Sequence, residues 1–140
     1  MADNTFHCSI VTPERAVLDA DATLVTLPAH DGEIGILRGR APILCQLGIG
    51  TLRVETAEGT ESFFVDRGFA QMVDNKLTVL TEQARRPREL DQAEIDEALD
   101  LAHGMPIQGG ESLWADERLV AITRARAQMR VKRLDRSDDD

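Results

Sequence analysis

The run QARRPRELDQAEIDEALDLAHG, residues 83–104, contains the change of period that decides the fold. Before it, apolar residues come in short β-rich runs. Within it they fall at helical spacing. Pro87 lacks a backbone donor and restricts the residue before it, which marks a seam; Arg85, Arg86 and Arg88 flank that seam. Past it, Asp91 is placed to cap a helix, with Glu94 three residues on in capping-box position. Ile95, Ala98, Leu99 and Ala102 follow at i, i+3, i+4 and i+7, and Gly104 and Pro106 end the stripe. The chain thus divides into residues 1–86 and 87–140.

Downstream, MPIQGGESLW reads as a loop and a second helix is predicted from about residue 116 to about 134. Ile122, Ala125 and Met129 form one apolar row, and Ala127, Val131 and Leu134 another. The final RSDDD should fray. The two helices differ in sign. The first carries Asp91, Glu94, Asp96, Glu97 and Asp100; the second carries Arg124, Arg126, Arg130, Lys132, Arg133 and Arg136. An antiparallel hairpin of the two would be electrostatically complementary, yet each exposed ion pair adds only ~0.2–1 kcal/mol. Its seam, built mostly of alanine, is thin. Two readings stand: a hairpin that opens and offers its basic helix to an acidic partner, or a fixed helix pair.

Upstream, strands are predicted over residues 6–12, 23–27, 51–55, 62–65, 69–73 and 77–80, all rich in Val, Ile, Leu, Phe and Thr. Asp31-Gly32, Glu58-Gly59 and Asp74-Asn75 are expected hairpin tips. Leu52 and Val54 alternate with Thr51, Arg53 and Glu55, so one face is buried and the other wet. Many short strands at this spacing predict a sandwich or flattened barrel.

Composition narrows the function. The chain has 140 residues, of which 42% are hydrophobic, enough for a real core. Aromatics at 4% and a net charge of −9 argue against a nucleic-acid partner. No run approaches the ~20 apolar residues of a membrane span and none near the start resembles a signal, so a cytosolic chain without direct membrane insertion is expected. Cys8 and Cys45 lack metal-pair spacing and read as two buried thiols.

Candidate chemistry is sparse. In LPAHDGEIGI, residues 27–36, His30, Asp31 and Glu33 share one short turn. A metal needs ligands that converge from several directions, and His7 and His103 show no matching spacing. A hydrolase built on His30 and Asp31, or on a carboxylate pair, has no marked environment to separate two pKa values. Neither a cofactor nor a metal is expected. GIG at 48–50 lacks the third glycine of a dinucleotide loop and reads as a turn. From residues alone this is a small β domain with a helical hairpin, non-catalytic and protein-binding.

Three blocks carry a resemblance: LPAHDGEIGILRGRAPILCQLGIGTLRV, then FFVDRGFAQMVDNKLTVLTEQA, then RARAQMRVKRL. In order and over nearly the whole chain they resemble the epsilon subunit of bacterial F-type ATP synthase. The resemblance implies a ten-stranded N-terminal β-sandwich followed by a C-terminal antiparallel two-helix hairpin. It implies a non-catalytic rotor subunit that couples proton-driven rotation to ATP synthesis. The partners would be the gamma subunit, the membrane c-ring and, in an inhibited state, a catalytic beta subunit. The location would be peripheral, on the cytoplasmic face of the bacterial inner membrane. Asp31, Glu33, Arg38 and Arg40 would dock on the c-ring; Arg124, Arg126, Arg130, Lys132 and Arg133 would meet the beta subunit. The alternative is a stand-alone sandwich adaptor.

Departures from the family pattern are specific. Arg38 and Arg40 replace a proline and a histidine, and Arg67 replaces the first of two glycines. A turn needing positive φ at Arg67 would be strained, so a different local backbone is expected there. The ATP motif of some relatives keeps Asp91 but has Glu94 where its arginine belongs, so weak or no ATP binding is expected.

Overall fold

The computed structural model describes residues 4–106 and 116–137, with side chains described as far as residue 135. Eight strands precede two helices: β1 (Phe6–Val11), β2 (Ala16–Ala22), β3 (Leu24–Ala29), β4 (Gly32–Ile36), β5 (Ile43–Thr56), β6 (Gly59–Val73), β7 (Lys76–Thr81) and β8 (Ala84–Arg85), a 3-10 turn at Pro87–Glu89, then α1 (Gln92–His103) and α2 (Glu117–Ser137). The strands hydrogen-bond in the order β2-β1-β7-β6-β5-β3-β4, with β8 on β6. Pairing is antiparallel except between β1 and β7. The sheet folds over one core that takes residues from all eight strands, among them Cys8 and Ile10, Val17, Val25 and Leu27, Ile36, Leu52 and Val54, Phe63 and Met72, Val79 and Ala84.

Ten strands were expected and eight are found. The difference lies in β5 and β6, which run 14 and 15 residues without a break. Each changes face midway. In β6 the core takes Phe63 and Val65, then Ala70 and Met72, so the buried parity switches between them. The switch sits at Arg67 (φ 54) and Gly68 (φ 126). Only glycine fits at 68, because a Cβ there would lie 1.9 Å from the Leu80 carbonyl oxygen. In β5 the switch falls at GIG, which is strand rather than turn: Gly48 and Gly50 are buried against Ala29 and Pro28. The runs 62–65 and 69–73 are therefore parts of one bent strand.

β2, β4, the first half of β5 and β8 were not anticipated. AVLDADA in β2 is poor in β-formers, but its pairing with β1 overrides propensity, with Asp21 opposite His7. Two hairpin tips sit one residue earlier than expected, at His30–Asp31 and Ala57–Glu58, which leaves Gly32 (φ 141) and Gly59 (φ 133) to open the returning strands. Asp74 and Asn75 form the third as expected, at φ 51 and 59, the left-handed pair of a type I′ turn.

The helices stack outward from the sheet. A second cluster joins Phe64 of β6 to Leu90, Ile95 of α1 and Ala127 and Val131 of α2, with Ile49 and Met129 packed beside it. α2 lies against β5 and β6, and α1 lies against α2. Both expected rows of α2 are covered, as a middle layer requires: Ile122 and Ala125 are buried, as are Ala127 and Val131. On α1, Ile95 and Ala102 are buried but Ala98 is exposed. α2 keeps Arg136 and Ser137 in its last turn, where fraying was expected. The predicted loop falls largely, and the final Asp residues wholly, outside the described residues.

Candidate interaction surfaces

The seam is pinned rather than loose. Glu89 accepts from the Arg86 backbone N–H at 3.2 Å and pairs with Arg15 at 3.3 Å, while Arg85 Nη2 donates to the Glu89 carbonyl at 3.0 Å. Arg86 lies over the Phe63 ring, 4.8 Å from its centroid. Lys132 of α2 donates to the Pro87 carbonyl at 3.3 Å and pairs with Asp135 at 3.0 Å. Asp91 caps α1, accepting from Ala93 N (2.8 Å) and Glu94 N (3.4 Å), and Asp116 caps α2 through Arg118 N and Leu119 N.

The expected charge pairing between the helices is not what holds them. Asp91, Glu94, Asp96, Glu97 and Asp100 are all exposed. The ion pairs found for α2 among the described residues run to the sandwich and along α2 itself. α1 instead rests on α2 through an apolar seam, for which Ile95 supplies the main side chain.

The principal tie from α2 to the sandwich is Arg124. Its Nε donates to Asp66 Oδ2 at 2.7 Å, and Arg67 Nε donates to the other carboxylate oxygen at 3.0 Å. Asp66 is only 2% exposed. Thr81, also buried, bonds the Asp66 backbone on both its N–H and its carbonyl, each at 3.2 Å. A different backbone was expected at Arg67; the structure instead keeps the left-handed conformation with an arginine in it, at a cost of about 1–2 kcal/mol. The acid at 66 was not singled out from sequence, because its partner lies 58 residues away.

The remaining basic residues of α2 divide. Arg126, Arg130 and Arg133 are exposed, while Arg124 and Lys132 are half-buried and engaged. Arg130 lines a cleft of about 730 Å³ with Arg53, Arg86 and Arg88, where Glu61 and Asp135 supply the acids.

At the β3–β4 end, His30, Asp31 and Glu33 are exposed, as are Arg38 and Arg40. Asp31 and Arg40 both act on the Cys45 thiol, so the structure brings these two to the start of β5. Arg38 Nη1 instead donates to the Thr5 carbonyl at 3.4 Å, and Glu33 lies on edge strand β4. Gly39 (φ 82), between Arg38 and Arg40, turns the chain and is tied by its N–H to Asn75 Oδ1 at 2.7 Å. Among the described residues no group of three or more His, Cys, Asp or Glu side chains is arranged to hold a metal.

Cys8 is buried and its thiol is pushed up to about 12, chiefly by burial and further by Asp19. Cys45 was expected buried but is only partly so. Burial raises its pKa, a backbone hydrogen bond from Ala70 and the charge of Arg40 lower it, and Asp31 raises it.

One surface was missed. Below the bend, the outer face of β5–β6–β7 exposes Leu44 (69%), Phe69 (54%) and Leu80 (52%). Phe69 stands opposite Leu80 on β7 and Gln46 on β5; Leu44 stands opposite Gln71. Gln46, Gln71 and Thr78 complete its centre, and Lys76, on the same side of β7 and opposite Val73, brings a charge to its edge. Val11 and Pro13 extend it along a shallow cleft beside Phe69 and Leu80. An aromatic anchor, aliphatic neighbours and uncharged polar residues are the composition of a protein interface core. The clue in sequence was the run FAQMV, apolar at both parities: Ala70 and Met72 take the core, which leaves Phe69 outside.

Comparison with known proteins agrees throughout the chain. Residues 5–87 match the family model described as "ATP synthase, Delta/Epsilon chain, beta-sandwich domain". The ATP synthase epsilon chain of Rhodopirellula baltica is 44% identical over 129 residues, 92% of this chain and 99% of that one. That of Nitratidesulfovibrio vulgaris is 36% identical over 130 residues, 93% and 97% of the two chains. The chloroplastic epsilon chain of Porphyra purpurea is 33% identical over 91% of this chain and 95% of that one. In fold, a chain of the Euglena gracilis mitochondrial ATP synthase OSCP/F1/c-ring structure superposes with a TM-score of 0.69 at 18% identity, covering 100% of this chain and 84% of that one. A chain of the Tetrahymena thermophila central stalk/c-ring structure gives 0.58 at 18% identity, over 90% and 95%.

Proposed function

The chain belongs to the ATP synthase epsilon-chain family, and from that premise we propose that it is a non-catalytic central-stalk subunit of a proton-translocating ATP synthase. The observation that carries this is 44% identity to an epsilon chain over 92% of the residues. Within that role, the apolar face of Leu44, Phe69 and Leu80 is the dock for the rotor's gamma subunit. Its chemistry suits a permanent partner, since a lone monomer gains nothing from wetting a phenylalanine and two leucines together. The β3–β4 turn and the connection after β4, carrying Asp31, Glu33, Arg38 and Arg40 between them, meet the polar loops of the c-ring. No described helix is long and apolar enough to cross a membrane, so the attachment to the membrane sector goes through these partners.

The second part of the proposal concerns the hairpin. Docked on the sandwich, α2 shows Arg126, Arg130 and Arg133 to solvent and holds Arg124 and Lys132 back. Released, it offers all five cations to an acidic segment of the catalytic beta subunit and slows ATP hydrolysis. The compact form is then the permissive state.

The test is reconstitution with a catalytic complex stripped of its epsilon subunit, with binding and ATP hydrolysis both measured. Phe69→Asp should bind at least tenfold more weakly, as expected for loss of an interface anchor. The triple change of Arg126, Arg130 and Arg133 to alanine should bind normally and inhibit less. Normal binding of Phe69→Asp removes the gamma dock from this face. Unchanged inhibition by the triple variant removes the basic helix as the brake. Failure of the unaltered chain to bind would return the adaptor reading.

A further inference from the structure

We propose that Asp66, Arg67 and Arg124 form a latch with two cations, in which Arg124 leaves with the hairpin and Arg67 stays behind to neutralise the acid. This rests on the reading that the hairpin opens. Asp66 is nearly fully buried and gives one carboxylate oxygen to each arginine, at 2.7 Å for Arg124 and 3.0 Å for Arg67. Only Arg124 belongs to α2. Arg67 is the next residue along β6, so it remains beside Asp66 whatever the helices do.

The arrangement separates two properties that a single ion pair would bind together. A buried carboxylate stripped of its one partner is strongly unfavourable, and a hairpin held that way would rarely open. With Arg67 in place, the open state keeps a paired acid. The two guanidiniums also repel across the carboxylate they share, which weakens the hold on Arg124. Arg67 thus lowers the barrier to release while Arg124 gives the closed state its charge-assisted bond. This accounts for an arginine kept at φ 54, where glycine would sit without strain. The clamp forms part of the wall of a cleft with Gln46, Glu82 and Gln83.

The inference gives two substitutions with opposite signs, read by amide hydrogen exchange of the isolated full-length chain. Arg124→Gln should make α2 amides exchange roughly 10- to 100-fold faster, the scale of one lost hydrogen bond to a charged group, with β1, β6 and β7 unchanged. Arg67→Gly should do the reverse: α2 amides exchange about tenfold more slowly, because opening would now strand Asp66, and the strands become no less protected. Asp66→Asn, close to isosteric, should behave as Arg124→Gln, and the double variant no worse than either alone. Unaltered α2 exchange in Arg124→Gln overturns the latch. So does equal loss of protection in strands and α2, which would mean a global fault, and so does faster α2 exchange in Arg67→Gly. No catalytic complex takes part, so a chain that passes here and still fails to inhibit counts against the proposed function and not against the latch.

Discussion

Truncating Phe64 to alanine should detach the hairpin and leave the sandwich standing. Phe64 is fully buried, yet its neighbours Phe63 and Val65 feed the sandwich core while Phe64 faces the other way. It packs with Leu90, Ile95, Ala127 and Val131. A buried Phe→Ala change costs about 3–5 kcal/mol. Almost all of that falls on the contact between sheet and helices, since the atoms removed touch the helix cluster. At 1.4 kcal/mol per tenfold, the ratio of detached to docked hairpin rises at least about a hundredfold. Native-state trypsin digestion reads this directly: α2 carries Arg124, Arg126, Arg130, Lys132 and Arg133, and cleavage follows the open population when opening is fast. The expected result is cleavage in α2 at least a hundredfold faster, with a fragment ending near the seam that persists. Two results would refute the reasoning: an unchanged rate in α2, or digestion of strands and helices together.

Further expectations follow from single sites. Gly68→Ala places a Cβ 1.9 Å from the Leu80 carbonyl; it should lower the melting temperature by several degrees or more, and an unchanged melting curve would contradict the bend geometry. Cys45 should react with a small alkylating reagent in the native protein while Cys8 reacts only on unfolding; equal rates would contradict their burial. Cys8 is raised from 9.0 to about 12, so the native state holds the thiol proton more tightly. Its contribution is intact below pH 9 and is lost as pH rises towards 12, by up to about 1.4 kcal/mol per pH unit; denaturation midpoints for Cys8→Ala and the unaltered chain should converge or cross over that window. Asp91→Ala should cost α1 about 1 kcal/mol, seen as faster amide exchange in its first turns. Because the Asp91 carboxylate is committed to that cap and Glu94 adds an exposed acid, ATP titrated into the isolated chain should show no micromolar affinity, and a micromolar isotherm would refute this.

The sequence made the passage from strands to helices and both helices legible, because a change from two- to 3.6-residue period survives any tertiary context. The strand pattern was only partly legible. β2 was hidden because Asp19 and Asp21 interrupt its apolar residues, and what holds it is its partner, through His7 on β1. GIG was hidden because glycine marks both turns and close backbone approach, and here it serves the second purpose against Ala29 and Pro28. The basic row of α2 was plain; that Arg124 is spoken for by Asp66 was not, because a lone acid between apolar residues says nothing about a partner on another element. The exposed apolar face needed the register. Phe69 and Leu80 belong to separate strands, and only their pairing across β6 and β7 shows that they share a surface.

Phe64 and Ile49 have a consequence for the history of such chains. Both belong to the sandwich by sequence and to the helices by contact. A descendant that lost everything after the seam would keep a well-filled interior but would expose these two side chains to water. Loss of the hairpin is therefore not a single event. It needs polar replacements at 49 and 64, before or alongside the deletion, or a new protein to shelter them. Read in reverse, a polar residue at both positions in a shortened relative would record that its hairpin has gone.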